Sequence, residues 1–124
     1  MKFSELEYRR PDVARIEEDY KALIERVKKA ETDEEILDIW EAHQRLGREY
    51  NLPDRTVYIR NTMNVKDEFY SGEKAYFDSV SPSYYNTMNQ LYKALLEHPK
   101  KQVLADKFGK IILEKMQVSL NAAD

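Results

Sequence analysis

Apolar side chains recur along most of this chain at intervals of three and four, the spacing that places them on one stripe of an α-helix. After an irregular lead-in over residues 1–10, Pro11 suits a first helical turn, where its missing N–H has no partner to lose. Val13, Ile16, Tyr20, Leu23, Ile24 and Val27 then predict a helix ending near Ala30, with Glu25 and Lys29 paired on its wet face. Thr32-Asp33-Glu34-Glu35 reads as a capping box, in which hydroxyl and carboxylate satisfy the first orphan backbone donors. The helix it opens carries Ile36, Ile39, Trp40, His43, Leu46, Gly47 and Tyr50 on one stripe, and Asn51-Leu52-Pro53-Asp54 predicts its end. Residues 55–66 are ambiguous: Thr56, Ile59 and Met63 outline a short helix, but Val57 and Val65 fall off that face. Asp67 is placed to cap a further helix with Phe69, Tyr76, Phe77 and Val80 turned inward. Ser81-Pro82 predicts a boundary, with the serine as N-cap and the proline in the first turn. Tyr85, Met88, Leu91, Tyr92, Leu95 and Leu96 follow at helical spacing, and His98-Pro99 stops them. Leu104, Phe108, Ile111, Ile112 and Val118 mark the last segment, with Gly109 inside it. No segment alternates with the period of two that a half-buried strand shows. The pattern predicts an all-α fold, an irregular bundle or array of five to six helices in a single domain over residues 1–124, joined by short connections.

Composition narrows the partners. Charged residues make up 35% of the chain with both signs interspersed, and the formal net charge is −3, so no nucleic-acid surface is expected. No run approaches the ~20 apolar residues of a membrane span, and Met1 to Arg10 lacks a signal peptide's apolar core. The absence of cysteine removes disulfides, thiolate metal sites and cysteine nucleophiles, and fits a cytoplasmic protein.

Candidate chemistry is sparse. A catalytic zinc usually takes three protein ligands, often two histidines at i and i+4. Ile39 and Gly47 flank His43 at that spacing, and Ala94 and Gln102 flank His98, so no metal site and no catalytic residue is assigned. With no repeated Glu-x-x-His, a di-iron bundle is not expected either. On the apolar stripe beside Trp40, His43 reads as a core histidine, and His98 as a helix-end residue bonding terminal carbonyls. Glu73 falls on an inward face and needs a partner, with Arg60 or Lys66 as candidates. Arg60, Glu73, Tyr70 and Tyr85 are the residues that could line a peptide-binding wall, although a structural ion pair and aromatic core packing explain them more simply. Nine tyrosines suit either role. Gly72 and Gly109, each expected inside a helix, are expected to allow close approach of a neighbouring helix.

The segment Ile59-Arg60-Asn61-Thr62-Met63-Asn64-Val65-Lys66-Asp67-Glu68-Phe69-Tyr70 resembles a stretch near the start of oligoendopeptidase F and related thimet-type zinc metallopeptidases. Tyr8-Arg9-Arg10-Pro11-Asp12, Ser81-Pro82, Tyr92-Lys93-Ala94-Leu95-Leu96 and Lys107-Phe108-Gly109-Lys110 extend the resemblance over nearly the whole chain. It implies the N-terminal helical fragment of a longer cytoplasmic peptidase that cleaves short peptides. The family's H-E-x-x-H helix and further glutamate ligand have no counterpart here. Zinc is therefore expected only in a missing C-terminal catalytic domain, which would be this chain's partner, and the helices would wall part of a substrate channel. Such a fragment would expose the surface that faces the catalytic domain and self-associate through it. The other reading is a stand-alone helical module that binds a peptide or partner helix.

Overall fold

The computed structural model describes residues 8–63 and 68–122. Among these the chain forms five helices and no strand: α1 (Val13–Lys29), α2 (Asp33–Met63), α3 (Glu68–Glu97), α4 (Gln102–Phe108) and α5 (Ile111–Ala122). The predicted all-α array is what forms. The long helix α3 is its spine, packing against α1 and α2 and, toward its end, against α5, while α4 closes onto α2 and α5.

The predicted stripes of α1 and the first half of α2 become the core almost residue for residue. Val13, Ile16, Tyr20, Leu23 and Val27 are buried on α1, with Ile36, Ile39, Trp40, His43, Leu46, Gly47 and Tyr50 on α2. Asp12 caps α1, its carboxylate accepting the Arg15 N–H at 3.1 Å, so Pro11 lies just before the helix rather than in its first turn. Thr32 caps α2 as expected: its Oγ1 accepts the Glu35 N–H and donates to the Glu35 carboxylate, both at 3.2 Å. Glu25 pairs with Lys28, one residue short of the expected Lys29.

Two predicted boundaries are absent. Helix α2 runs through Pro53 and α3 through Pro82. A proline inside a helix removes one backbone bond and crowds the carbonyl four residues back, at a cost of about 3 kcal/mol. Tertiary packing on both sides offsets that cost. Tyr50 and Val57 are buried two turns apart across Pro53, and Phe77 and Tyr84 likewise across Pro82. The Tyr50 ring stacks on Tyr84 (centroids 3.8 Å apart, 11° between planes) and meets Phe77 edge-on at 5.6 Å. Ser81, expected as an N-cap, instead hydrogen-bonds the Tyr50 hydroxyl across the two helices.

Other expectations turn over with this geometry. Because α2 does not stop, residues 55–63 take the register of its first half: Val57 and Arg60 are buried, and Ile59 and Met63 point outward. Phe69 is 57% exposed, not inward, and Tyr84 rather than Tyr85 enters the core. On α5, Ile112 and Met116 are buried while Ile111 and Val118 are exposed. Gly109 is not inside a helix; it joins α4 to α5 with φ of 94°, a conformation that favours glycine. A Cβ at Gly72 or Gly109 would meet nothing within 4 Å, so close helix approach explains neither glycine. Val65, Lys66 and the expected Asp67 cap lie outside the described residues.

Candidate functional site

Among the described residues, the buried histidine, arginine and glutamate fall in two centres. The first joins the lead-in to α3. Glu73, buried on α3, accepts the Tyr8 hydroxyl at 2.8 Å and the Arg10 Nε–H at 3.0 Å, while Arg10 Nη2 bonds its second oxygen. The guanidinium also lies 4.0 Å from the Tyr76 ring centroid. Hydrogen bonding from Arg10, outweighing desolvation, holds the Glu73 carboxyl below its ordinary range. Burial and the neighbouring carboxylate push the Tyr8 hydroxyl up. Glu73 thus has its partner, but it is Arg10 rather than Arg60 or Lys66. Buried Arg60 donates to the Tyr70 hydroxyl, and the Tyr70 ring packs edge-on to Tyr8 at 6.3 Å. Three of the four residues singled out from the sequence, Arg60, Tyr70 and Glu73, therefore share one neighbourhood. Tyr85 stands apart, exposed against Tyr50 and Tyr84. Tyr8 and Arg10 were hidden in the lead-in, where no periodicity marks an inward face.

The second centre surrounds His43. Its Nδ1 is 2.9 Å from the Tyr20 hydroxyl and its Nε2 is 3.1 Å from the Tyr92 hydroxyl. Tyr20 extends the chain toward the Tyr84 hydroxyl at 3.4 Å. Burial pushes the imidazole down to about 4 and the Tyr84 and Tyr92 hydroxyls up to about 12. At neutral pH the network is uncharged, with one ring nitrogen donating and the other accepting. It fixes the α1–α2–α3 packing and leaves no basic group poised for proton transfer. His43 is a core histidine, as its place on the stripe suggests. His98 bonds a carbonyl of a different helix end: its Nε2–H donates to Ala30 O at 2.9 Å, while its Nδ1 accepts the Lys100 N–H at 3.0 Å.

These groups do not fit a zinc ion. Both histidines have both nitrogens engaged, and no three His, Cys, Asp or Glu side chains cluster suitably among the described residues. No described helix is long and apolar enough to cross a membrane.

The sequence pattern of the Peptidase M3 N-terminal domain matches residues 3–123. The chain belongs to this family. PZ peptidase A, solved with an inhibitor, superposes on the M3 N-terminal domain with a TM-score of 0.90 at 29% identity, over 96% of this chain and 21% of its own. A chain assigned as an oligoendopeptidase F, solved at 3.1 Å, gives 0.89 at 28% identity, over 97% of this chain and again 21% of its own. The M3 N-terminal domain described here thus spans about a fifth of the length of these neighbours. No curated protein sequence matches it.

Proposed function

We propose that this chain is the non-catalytic N-terminal helical part of a cytoplasmic zinc oligoendopeptidase, where it shapes the wall of a peptide channel. The observation that carries this reading is the superposition of almost the whole domain on one fifth of peptidase chains, at a TM-score of 0.90. The chemistry would reside in a catalytic zinc domain outside this chain, acting on short peptides. Rigidity supports a wall role, because a channel that positions peptides needs surfaces that hold their shape. Here the neutral His43 network, the ion-paired Glu73 and the aromatic clamp across both prolines supply it.

The outer surface supports attachment to a larger body. Leu52, Ile59 and Met63 lie on one stripe of α2, exposed by 59%, 52% and 61%, in a half-helix whose other face is core. Three apolar side chains so aligned suit a surface that another domain covers.

The test combines zinc analysis of the purified chain with a quenched-fluorescence peptide assay and a reading of the coding frame past Asp124. The expected outcome is zinc far below stoichiometric, no hydrolysis, and a frame that continues into an H-E-x-x-H helix. Stoichiometric zinc or peptide cleavage by the chain alone would overturn the proposal. An immediate stop codon would favour a stand-alone binding module.

A further inference from the structure

Between α3 and α5 lies a half-open cleft of about 620 Å³, a size common for small-ligand sites. The chain has ten carboxamide side chains, and five of them line this one cleft. Asn86, Asn89 and Gln90 come from α3 at i, i+3 and i+4, and Gln117 and Asn121 from α5 at i and i+4, spacings that put each set on one helix face. We propose that this cleft binds an extended polypeptide by gripping its backbone. The proposal rests on the peptidase reading above and names a peptide-contacting surface for it.

The chemistry favours a peptide backbone over other guests. A carboxamide carries the same donor and acceptor pair as a peptide unit, so the two can exchange paired hydrogen bonds regardless of the guest's side chains. Asn89 is only 8% exposed, and its Oδ1 accepts the Ser119 hydroxyl at 2.6 Å. That bond fixes the amide plane, while Nδ2 has no partner among the described residues in a side chain that lines the cleft. The Nδ2 group keeps access to solvent in the cleft, where a guest carbonyl would accept from it. On the opposite wall Gln117 Nε2 donates to Asn121 Oδ1 at 3.0 Å, which leaves the Gln117 oxygen and the Asn121 NH2 group to face a guest. Leu96 and Leu120 supply apolar contact between the amides. Lys93, Glu97 and Lys101 place charges of both signs at the cleft, which does not select an anion. The groove beside His43 differs: it is about 280 Å³, and its histidine and tyrosine hydroxyls bond one another.

The experiment titrates the uncharged peptide acetyl-Ala-Gly-Ala-Gly-Ala-amide into the ¹⁵N-labelled chain and follows the side-chain NH2 resonances. Saturable shifts are expected at Asn86, Asn89, Gln90, Gln117 and Asn121. Gln90→Ala with Gln117→Ala, both at exposed positions, should weaken binding about tenfold with the fold intact by circular dichroism. Shifts confined to the Gln44 and Arg48 groove would overturn the cleft while leaving the domain a peptide-facing wall. No shift anywhere would also overturn it, and the zinc and reading-frame tests would still judge the peptidase reading separately. An equal response to maltose would show a general polar surface rather than a peptide site.

Discussion

His43 sets the acid limit of this domain. Unfolded, its imidazole titrates near the ordinary 6.5, and folded, near 4. Between those values the unfolded chain binds the extra proton, so stability is complete above about 6.5, declines as pH falls, and levels off below about 4. The full effect is about 3 kcal/mol. Denaturant midpoints measured from pH 7 to pH 4 should fall steeply in the native chain and much less in His43→Gln; parallel curves would show that the imidazole is not buried neutral. Glu73 works in a lower window. Its carboxyl is held below the ordinary 4.5, so its contribution is present above that value and lost as pH falls beneath it. Glu73→Ala leaves the Tyr8 hydroxyl and Arg10 without their shared acceptor. It should cost about 1–3 kcal/mol and speed amide exchange over residues 8–12, while exchange in the α1–α2 core stays slow. Sequence alone shows that Glu73 faces inward, because periodicity reports a face. It cannot show that Arg10 is the partner, since a lead-in without periodicity carries no directional signal and the contact spans 63 positions.

At the scale of the helices, the legible features are those set locally. The Thr32 cap and the stripes of α1 and early α2 depend on neighbours within a turn or two, and these form as the pattern predicts. The two internal prolines are misread because their cost is local while the compensation is tertiary, through Tyr50, Phe77 and Tyr84. The glycines give a direct check on the same division. Gly47 and Gly72 lie in helix interiors; a Cβ would meet only Asn51 Nδ2 at 3.8 Å at the first and nothing within 4 Å at the second. Alanine at either should therefore raise stability by about 0.5–1 kcal/mol, read as a higher thermal midpoint. Gly109→Ala should lower it by a similar amount, because a side chain at φ of 94° is strained whatever the space around it. A stabilising Gly109→Ala would mean that the α4–α5 joint does not hold this conformation.

For the whole molecule, the exposed stripe of Leu52, Ile59 and Met63 makes the isolated domain prone to pair with itself. Light scattering should show concentration-dependent association that Leu52→Lys with Ile59→Glu abolishes without changing the helical signal. Monodisperse behaviour of the unaltered chain at high concentration would remove the argument that this face is normally covered. The sequence pattern leaves this face hidden, because Ile59 and Met63 look like core until α2 is seen to continue through Pro53 with Val57 and Arg60 turned inward. The candidate site was legible only as a neighbourhood: Arg60 and Tyr70 do bond each other, but Glu73 joins them through Tyr8 and is paired with Arg10 rather than with Arg60. The burial of Trp40 among aromatic rings has a practical consequence. It is the chain's single tryptophan, 8% exposed, 4.7 Å from the His43 ring and 6.3 Å from the ring of Tyr92, in a protein with nine tyrosines. Light absorbed by those tyrosines will pass to one indole and emerge as its fluorescence most efficiently while the helices stay together. The domain therefore carries a built-in optical gauge of its own assembly, placed beside the histidine whose protonation weakens it.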